Sequence, residues 1–322
     1  MVERAEIEDY ARRIGVPESA VRRIAFEEAF LRRAAAVDGP FVLKGSYVTR
    51  QYLEEGWRRI PGDLDWVGLG PLDSAVATRW VTAITETGFD DGIRFRSFAE
   101  NAFWRGIDYA MHDDFPTVNT DLLGWLGPEK QQIAEMDVSF GLDLRPPPVP
   151  LTYLPLFGDP FIIRRSCALE LQVAWKLHQC LVRPRFKDLL DLILILRENR
   201  LQVDATWQAL EAECRRDATP FSRFDWLLNG KIGQHPSWTT TYPLGQSFEA
   251  RFRAWRDPAP TGGAYWEDGP LASVYLEPGD LPHAPEDFLS LVASSLKSAG
   301  FVPVSADAGH PDRPWWRPRF LS

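Results

Sequence analysis

The stretch KGSYVTRQYLEEGWRRIPGDLD, residues 44–65, decides how this chain is read. An apolar run, FVLK at 41–44, ends in Gly45-Ser46, and after a turn at Pro61-Gly62 the chain returns with Asp63-Leu64-Asp65 at the head of DLDWVGLG. That run alternates, so it reads as a strand with Asp63 and Asp65 on one face and Leu64 and Trp66 on the other. The segment between reads as a helix over roughly 47–55 that Gly56 ends, with the Ser46 hydroxyl as its cap. Two carboxylates sharing a strand face repel by about 4 kcal/mol if ~4 Å apart at an effective dielectric of about 20. Some partner has to offset that.

Divalent cations do so, and Mg2+ is commonly held by one or two carboxylates together with substrate phosphates. A third acid, Asp137 in the apolar setting MDVSF, completes a metal-binding set with Asp63 and Asp65 if its strand lies beside theirs. The turn at Gly45-Ser46 offers backbone N–H groups at a helix start, a natural phosphate site. Taken singly, each feature has a plainer reading: a solvated strand edge, a turn-end acid, a helix cap. Their order along the chain raises the functional case: strand, GS, helix, strand with DxD, then a strand with a lone acid.

The rest of the chain bounds the problem. With 322 residues and 45% apolar content it can bury a core unaided. The longest apolar stretch, LLDLILIL at 189–196, contains an acid and is far short of the ~18 residues or more that a membrane span needs. The charged, amphipathic N-terminus has no apolar signal core, so the expectation is a cytoplasmic protein with no membrane partner. Cys167, Cys180 and Cys214 show no CxxC spacing, which argues against a disulfide framework and a zinc site. A net charge of −9 weakens nucleic-acid readings without removing a local basic patch.

Helical periodicity runs from Glu6 to Ala36 in two pieces, with Pro17 at the first position of the second. Further strands are expected near 95–125 and in IAEMDVSFGLDL, and a helix near 73–87. The proline-rich RPPPVPLTYLP at 145–155 reads as a connection between lobes, giving an organisation of 1–150 for the N-terminal helices and core, and 151–322 for a helical lobe with a C-terminal extension. Two helices are expected within 166–199, separated at Pro184, then helices near 203–215 and 284–299, with few clear elements over 218–282. The tail RPWWRPRF at 313–320 combines arginine with aromatics in a way that suits stacking on nucleic acid, although packing on its own fold is the plainer reading.

These residues carry a resemblance. FVLKGSYVTRQYLEEGWRRIPGDLDW resembles the opening motif of the AbiEii/AbiGii-type toxins within the DNA polymerase beta-type nucleotidyltransferase superfamily: an apolar strand, G-[GS], a variable helix and DxD, with a basic residue, here Arg59, shortly before it. EMDVSFG matches the second motif through Asp137. ALELQVAWKLHQCLVRPRFKDLLDLILIL matches the third and fourth, a helix-borne lysine at Lys176 and K-D-L-x-D-L at Lys187-Asp188 and Asp191. The likeness spans roughly residues 40–200; it departs from the pattern at Ala174-Trp175, where the family often has Ala-Glu, leaving that acid's role unfilled or passed to Glu170.

The resemblance implies an α/β (α+β) polymerase-beta-like nucleotidyltransferase core with a mixed sheet, followed by a C-terminal helical lobe. It implies a catalytic set of Asp63, Asp65, Asp137, Lys176 and Asp188. Of these, Asp63, Asp65 and Asp137 would bind Mg2+ or Mn2+, while Gly45, Ser46, Arg59 and Lys176 would hold the nucleoside triphosphate. The expected reaction moves a nucleotide from an NTP to an acceptor, a tRNA in relatives, under restraint by a cognate antitoxin. Alternatives that stay open are a protein or small-molecule acceptor, such as an aminoglycoside, and a non-catalytic interaction protein that keeps the fold.

Overall fold

The backbone pairs FVLK with LDWVG antiparallel, so that Lys44 lies opposite Asp65, and from this pair a mixed sheet extends on both sides. A computed structural model of the chain describes residues 4–107, 116–127, 130–240, 247–257, 271–277 and 279–303; the arginine- and tryptophan-containing tail at 313–320 lies outside them. The chain forms two compact units, Met1–Gln51 with Glu55–Cys167, and Tyr52–Glu54 with Ala168–Ser322.

The first unit opens with helices α1 (Arg4–Ile14) and α2 (Glu18–Ala36), where Pro17 stands one place earlier than expected, as the N-cap of α2. Then come β1 (Phe41–Lys44), the single turn α3 (Ser46–Thr49), β2 (Leu64–Gly68), α4 (Ser74–Glu86), β3 (Ile93–Phe95), β4 (Arg105–Ile107), β5 (Thr117–Leu126), β6 (Lys130–Phe140), β7 (Val149–Tyr153) and β8 (Phe161–Ser166). The sheet runs in the order β3-β5-β6-β2-β1-β8-β7, with β4 also on β5. Its β2·β6 and β1·β8 pairs are parallel and its other pairs antiparallel, the mixed sheet expected from the sequence.

One face of this sheet is closed by helices. The apolar stripe of α2, Val21, Ile24, Ala25, Phe26, Ala29, Phe30 and Leu31, is buried, the outcome that its helical spacing predicts. Aromatic contacts knit α2, α4 and the sheet: Phe30 meets Trp80 edge-on with ring centroids 6.3 Å apart, and Trp80 in turn stacks on Phe41 at 4.2 Å and meets Trp66 at 4.9 Å. The start of α4 is fixed by Asp73, whose carboxylate accepts from the N–H groups of Ala75 and Val76. Alternation then sends Asp65 to the opposite face.

Three sequence expectations are corrected. The helix expected over 47–55 is only the turn α3, continued by 3-10 turns at Arg50–Tyr52 and Gly56–Arg58. Buried Arg50 draws the segment inward, pairing with Glu28 at 2.9 Å and donating to the Gly56 carbonyl at 3.3 Å. Ser46 is the first residue of α3 and caps nothing, since Gly45 occupies the N-cap. Asp63 stands just before β2 and not within it. In addition, the proline-rich stretch is no free connection: it supplies β7, at the sheet's edge, where Pro150 falls at a register shift and its missing N–H is tolerated.

The second unit is helical: α5 (Leu169–Val182), α6 (Phe186–Glu198), α7 (Val203–Arg216), α8 (Phe224–Leu228), α9 (Ser237–Thr240), α10 (Phe248–Arg256), α11 (Leu271–Val274) and α12 (Pro285–Ser298). Its core forms around Phe186, whose ring centroid lies 4.6 to 6.5 Å from those of Trp238, Phe248, Phe252, Trp255 and Phe288. The stretch 218–282, featureless by periodicity, thus supplies much of this cluster from short helices. Replacing the fully buried Phe186 by Ala is expected to cost about 3–5 kcal/mol in urea unfolding. A loss below ~1 kcal/mol would contradict this packing.

Candidate active site

Strand register assembles the site. Lys44 lies opposite Asp65, Asp65 opposite Asp137, Asp137 opposite Asn119, and Asn119 opposite Arg105, so five strands contribute one polar row on the face away from the helices. Directly opposed residues share a face and bring their side chains within reach of each other. The row is bonded along its length. Lys44 Nζ pairs with Asp65 Oδ1 at 3.2 Å, Asn119 Nδ2 donates to Asp137 Oδ1 and to Glu135 Oε1, and Arg105 donates to Asn119 Oδ1 and Asp121.

Asp63 joins from the bend before β2, and carboxylate oxygens of Asp63, Asp65 and Asp137 lie within 4.8 Å of one another. Lys44 enters this cluster of three carboxylates as the ion-pair partner of Asp65. Burial acts most strongly on Lys44 and pulls its pKa down, but Asp65, with Asp137 and Asp63, outweighs it and holds the ammonium above its usual range. Lys44 therefore stays charged and offsets only part of the repulsion. Oxygen donors only, at this spacing, fit a hard divalent cation.

Gly45 is required at the next position twice over. Its φ of 75° is a conformation that L side chains rarely adopt, and a Cβ there would sit 2.0 Å from Asp65 Oδ2. The glycine lets the backbone pass directly beside the acid. Ser46 follows, with its Oγ buried and without a hydrogen-bond partner. A buried hydroxyl left without a partner is costly unless a ligand supplies one. Because α3 is a single turn, local N–H groups and this hydroxyl, not a summed helix dipole, are what the turn offers an anion. Arg59 is buried at 4% exposure and donates to the Ile60 carbonyl at 2.7 Å, within the segment leading to Asp63.

Behind the turn sits Glu27 of α2, fully buried, which accepts from the hydroxyl of Tyr47. Its other oxygen has no hydrogen bond, and the Arg23 guanidinium 3.9 Å away only partly offsets its burial. Burial, the largest influence, pushes the carboxyl up to about 8; Arg23 and the Tyr47 bond oppose this, and Asp63 adds to it.

In the second unit, Lys176 of α5 is buried. Its Nζ bonds Asp191 and lies 3.4 Å from Asp188 Oδ1, both on α6. Burial would raise Asp188, but Arg185, Lys176 and Lys187 outweigh it and hold the carboxyl well below the usual range. Arg185 donates to Asp188, and the Tyr275 hydroxyl donates to Asp191. Glu170 accepts from the Gln202 N–H at the start of α7, a structural bond. The three cysteines are buried and free, in keeping with packing.

Sequence reading missed Asn119 and Tyr275. Asn119 was legible only as a polar residue inside a strand, since its partner is set by register. Tyr275 lies 84 residues from Asp191, with no local pattern to announce it.

A profile of the nucleotidyl transferase AbiEii toxin family, of type IV toxin–antitoxin systems, matches residues 29–260. No curated protein matches the sequence. Among solved structures, the chain is similar to MenT4, a nucleotidyltransferase toxin from Mycobacterium tuberculosis H37Rv, with a TM-score of 0.52 at 14% identity over 94% of this chain and 91% of that one. A proposed nucleotidyltransferase from H. pylori gives a TM-score of 0.43 at 13% identity, covering 88% and 96%, a likeness too low to carry argument. At such identities the solved structures speak for the fold alone. Among the described residues no helix is long and apolar enough to cross a membrane.

Glu27 makes the electrostatics of this region testable. Its folded-state value of about 8 lies above the ordinary 4.5, so the folded chain holds its proton more tightly. The stability this provides is complete below about 4.5 and is lost as pH rises through about 8. Glu27→Gln, which cannot ionise, should gain stability relative to wild type over that interval in urea unfolding without added metal. Parallel pH curves would contradict the burial of an ionisable Glu27.

Proposed function

The chain belongs to the AbiEii family of nucleotidyltransferase toxins, and from that premise we propose that it transfers a nucleotide from an NTP to the 3′ hydroxyl of a tRNA in a Mg2+-dependent reaction. The observation that carries the reading is the Asp63, Asp65 and Asp137 cluster, oxygens within 4.8 Å, beside a glycine turn that ends in an unpartnered buried hydroxyl. Bound there, Mg2+ would neutralise phosphate charge and stabilise the charge that develops on the transferred group.

The chain's own residues divide the remaining work. Gly45, having no Cβ, lets the turn lie directly against Asp65, so that its N–H groups can meet a triphosphate bound at the metal, and Ser46 Oγ donates to a phosphate oxygen. Lys44 keeps Asp65 oriented. Asp137, held by the Asn119 amide, takes the proton of the acceptor hydroxyl. That oxygen forms a bond to the α-phosphorus, the bond to the bridging oxygen breaks, and pyrophosphate leaves. Lys176 and Asp188 enter through their family motif: the lysine supplies charge for phosphate and Asp188 orients the lysine. Membership of a type IV toxin family supports a cognate antitoxin as the restraining partner.

A second reading keeps the chemistry and changes the acceptor to a protein or small molecule, which the net charge of −9 favours over RNA. The intact acids, turn and lysine weigh against a non-catalytic interaction protein. Incubation with each labelled NTP, total tRNA and a protein extract separates these readings. Label should enter tRNA only with Mg2+ present and should fall about a hundred- to a thousandfold in Asp65→Asn. Label in protein or a small molecule would overturn the acceptor assignment, and no label anywhere would overturn the transfer reading.

A further inference from the structure

Of the three clustered acids, two are fixed by the sheet: Asp65 and Asp137 face each other in the β2·β6 register. Asp63 lies outside that register, in a bend that follows Pro61 and Gly62. Gly62 has open space around it, and its missing side chain leaves this backbone with more conformations than any other residue would. What faces the bend is α2. Arg23 Nη2 donates to the Pro61 carbonyl at 2.7 Å, and Arg23 Nη1 donates to the carbonyl of Gly62. A guanidinium is suited to this, since its rigid fork can hold two acceptors at a fixed spacing.

One helical turn further on, Glu27 accepts from Tyr47, the residue after Ser46. Arg23 Nη1 and Glu27 Oε1 are 3.9 Å apart, so the two side chains form one unit on one face of the helix. A single turn of α2 thus ties down both the loop that delivers Asp63 and the turn that delivers Ser46. Arg23 and Glu27 both precede the family match, which begins at residue 29.

We infer that Arg23 is a positioning residue for the metal-binding acids: by clamping the Pro61 and Gly62 carbonyls it sets where the Asp63 carboxylate stands relative to Asp65 and Asp137. The inference rests on the proposed metal site. Groups that orient metal ligands change metal affinity by about 10- to 100-fold when removed, whereas a residue that only supports the fold lowers stability with and without metal alike.

The test follows the melting temperature as Mg2+ is titrated into wild type, Arg23→Ala, Arg23→Lys and Arg22→Ala. Arg22 pairs with Glu18 on the same helix and serves as the control. Arg23→Ala should need about tenfold more Mg2+ for half of the stabilisation, with a metal-free melting temperature close to that of Arg22→Ala. Arg23→Lys keeps the charge and one donor within reach of the carbonyls. It should fall between, and it carries the test if Arg23→Ala fails to fold. Unchanged Mg2+ half-saturation in the Arg23 variants overturns the inference, whether or not the metal-free protein melts earlier. A wild type with no Mg2+ response overturns the underlying metal site, and the inference with it.

Discussion

The register that sets Lys44, Asp65, Asp137 and Asn119 side by side across four strands is the constraint from which the rest of the first unit follows. Alternation makes it a choice between faces: once Leu43, Leu64 and Trp66 are buried against the helices, Asp65 has to emerge on the opposite side. A slip of one residue in β2 would bury the acid and expose the tryptophan. The aromatic contacts of Trp66 with Trp80, and of Trp80 with Phe30 and Phe41, therefore do more than stabilise the core. They hold the acids in place.

That placement brings three carboxylates within 4.8 Å of one another, and like charges so close repel. Lys44 and Asn119 relieve it from either end, by an ion pair and by an amide donor. Gly45 lets the backbone come against Asp65, so the turn and the acid cannot be varied independently. The second unit is built on comparable terms, with buried Lys176 between Asp188 and Asp191 and outer donors from Arg185 and Tyr275. A buried charge persists only when paired and hydrogen-bonded, and here each aspartate has its own additional donor.

Much of this was legible in the sequence, for identifiable reasons. Strands β1, β2 and β6 and helices α2, α5, α6, α7 and α12 follow from apolar spacing that tertiary contacts do not override. The order GS, DxD, lone acid, lysine, KDLLDL marked the family over a span that the profile match includes. Less legible were features set by partners remote in sequence. Arg50 shortens the expected helix after Ser46 because it reaches back to Glu28, and RPPPVP yields an edge strand because its proline falls at a register shift. Asn119, Tyr275 and Arg23 act through bonds across 18, 84 and 38 residues, where no local pattern exists to read.

The proposed chemistry depends on Asp63, Asp65 and Asp137 forming one cation site. The most direct measurement is anomalous diffraction from crystals grown with Mn2+ and a non-hydrolysable NTP analogue. An anomalous peak bounded by these three carboxylates is expected, with the triphosphate against Gly45 and Ser46. Density for the analogue with no peak among the three acids, or a manganese ion bound elsewhere in the chain, would contradict it.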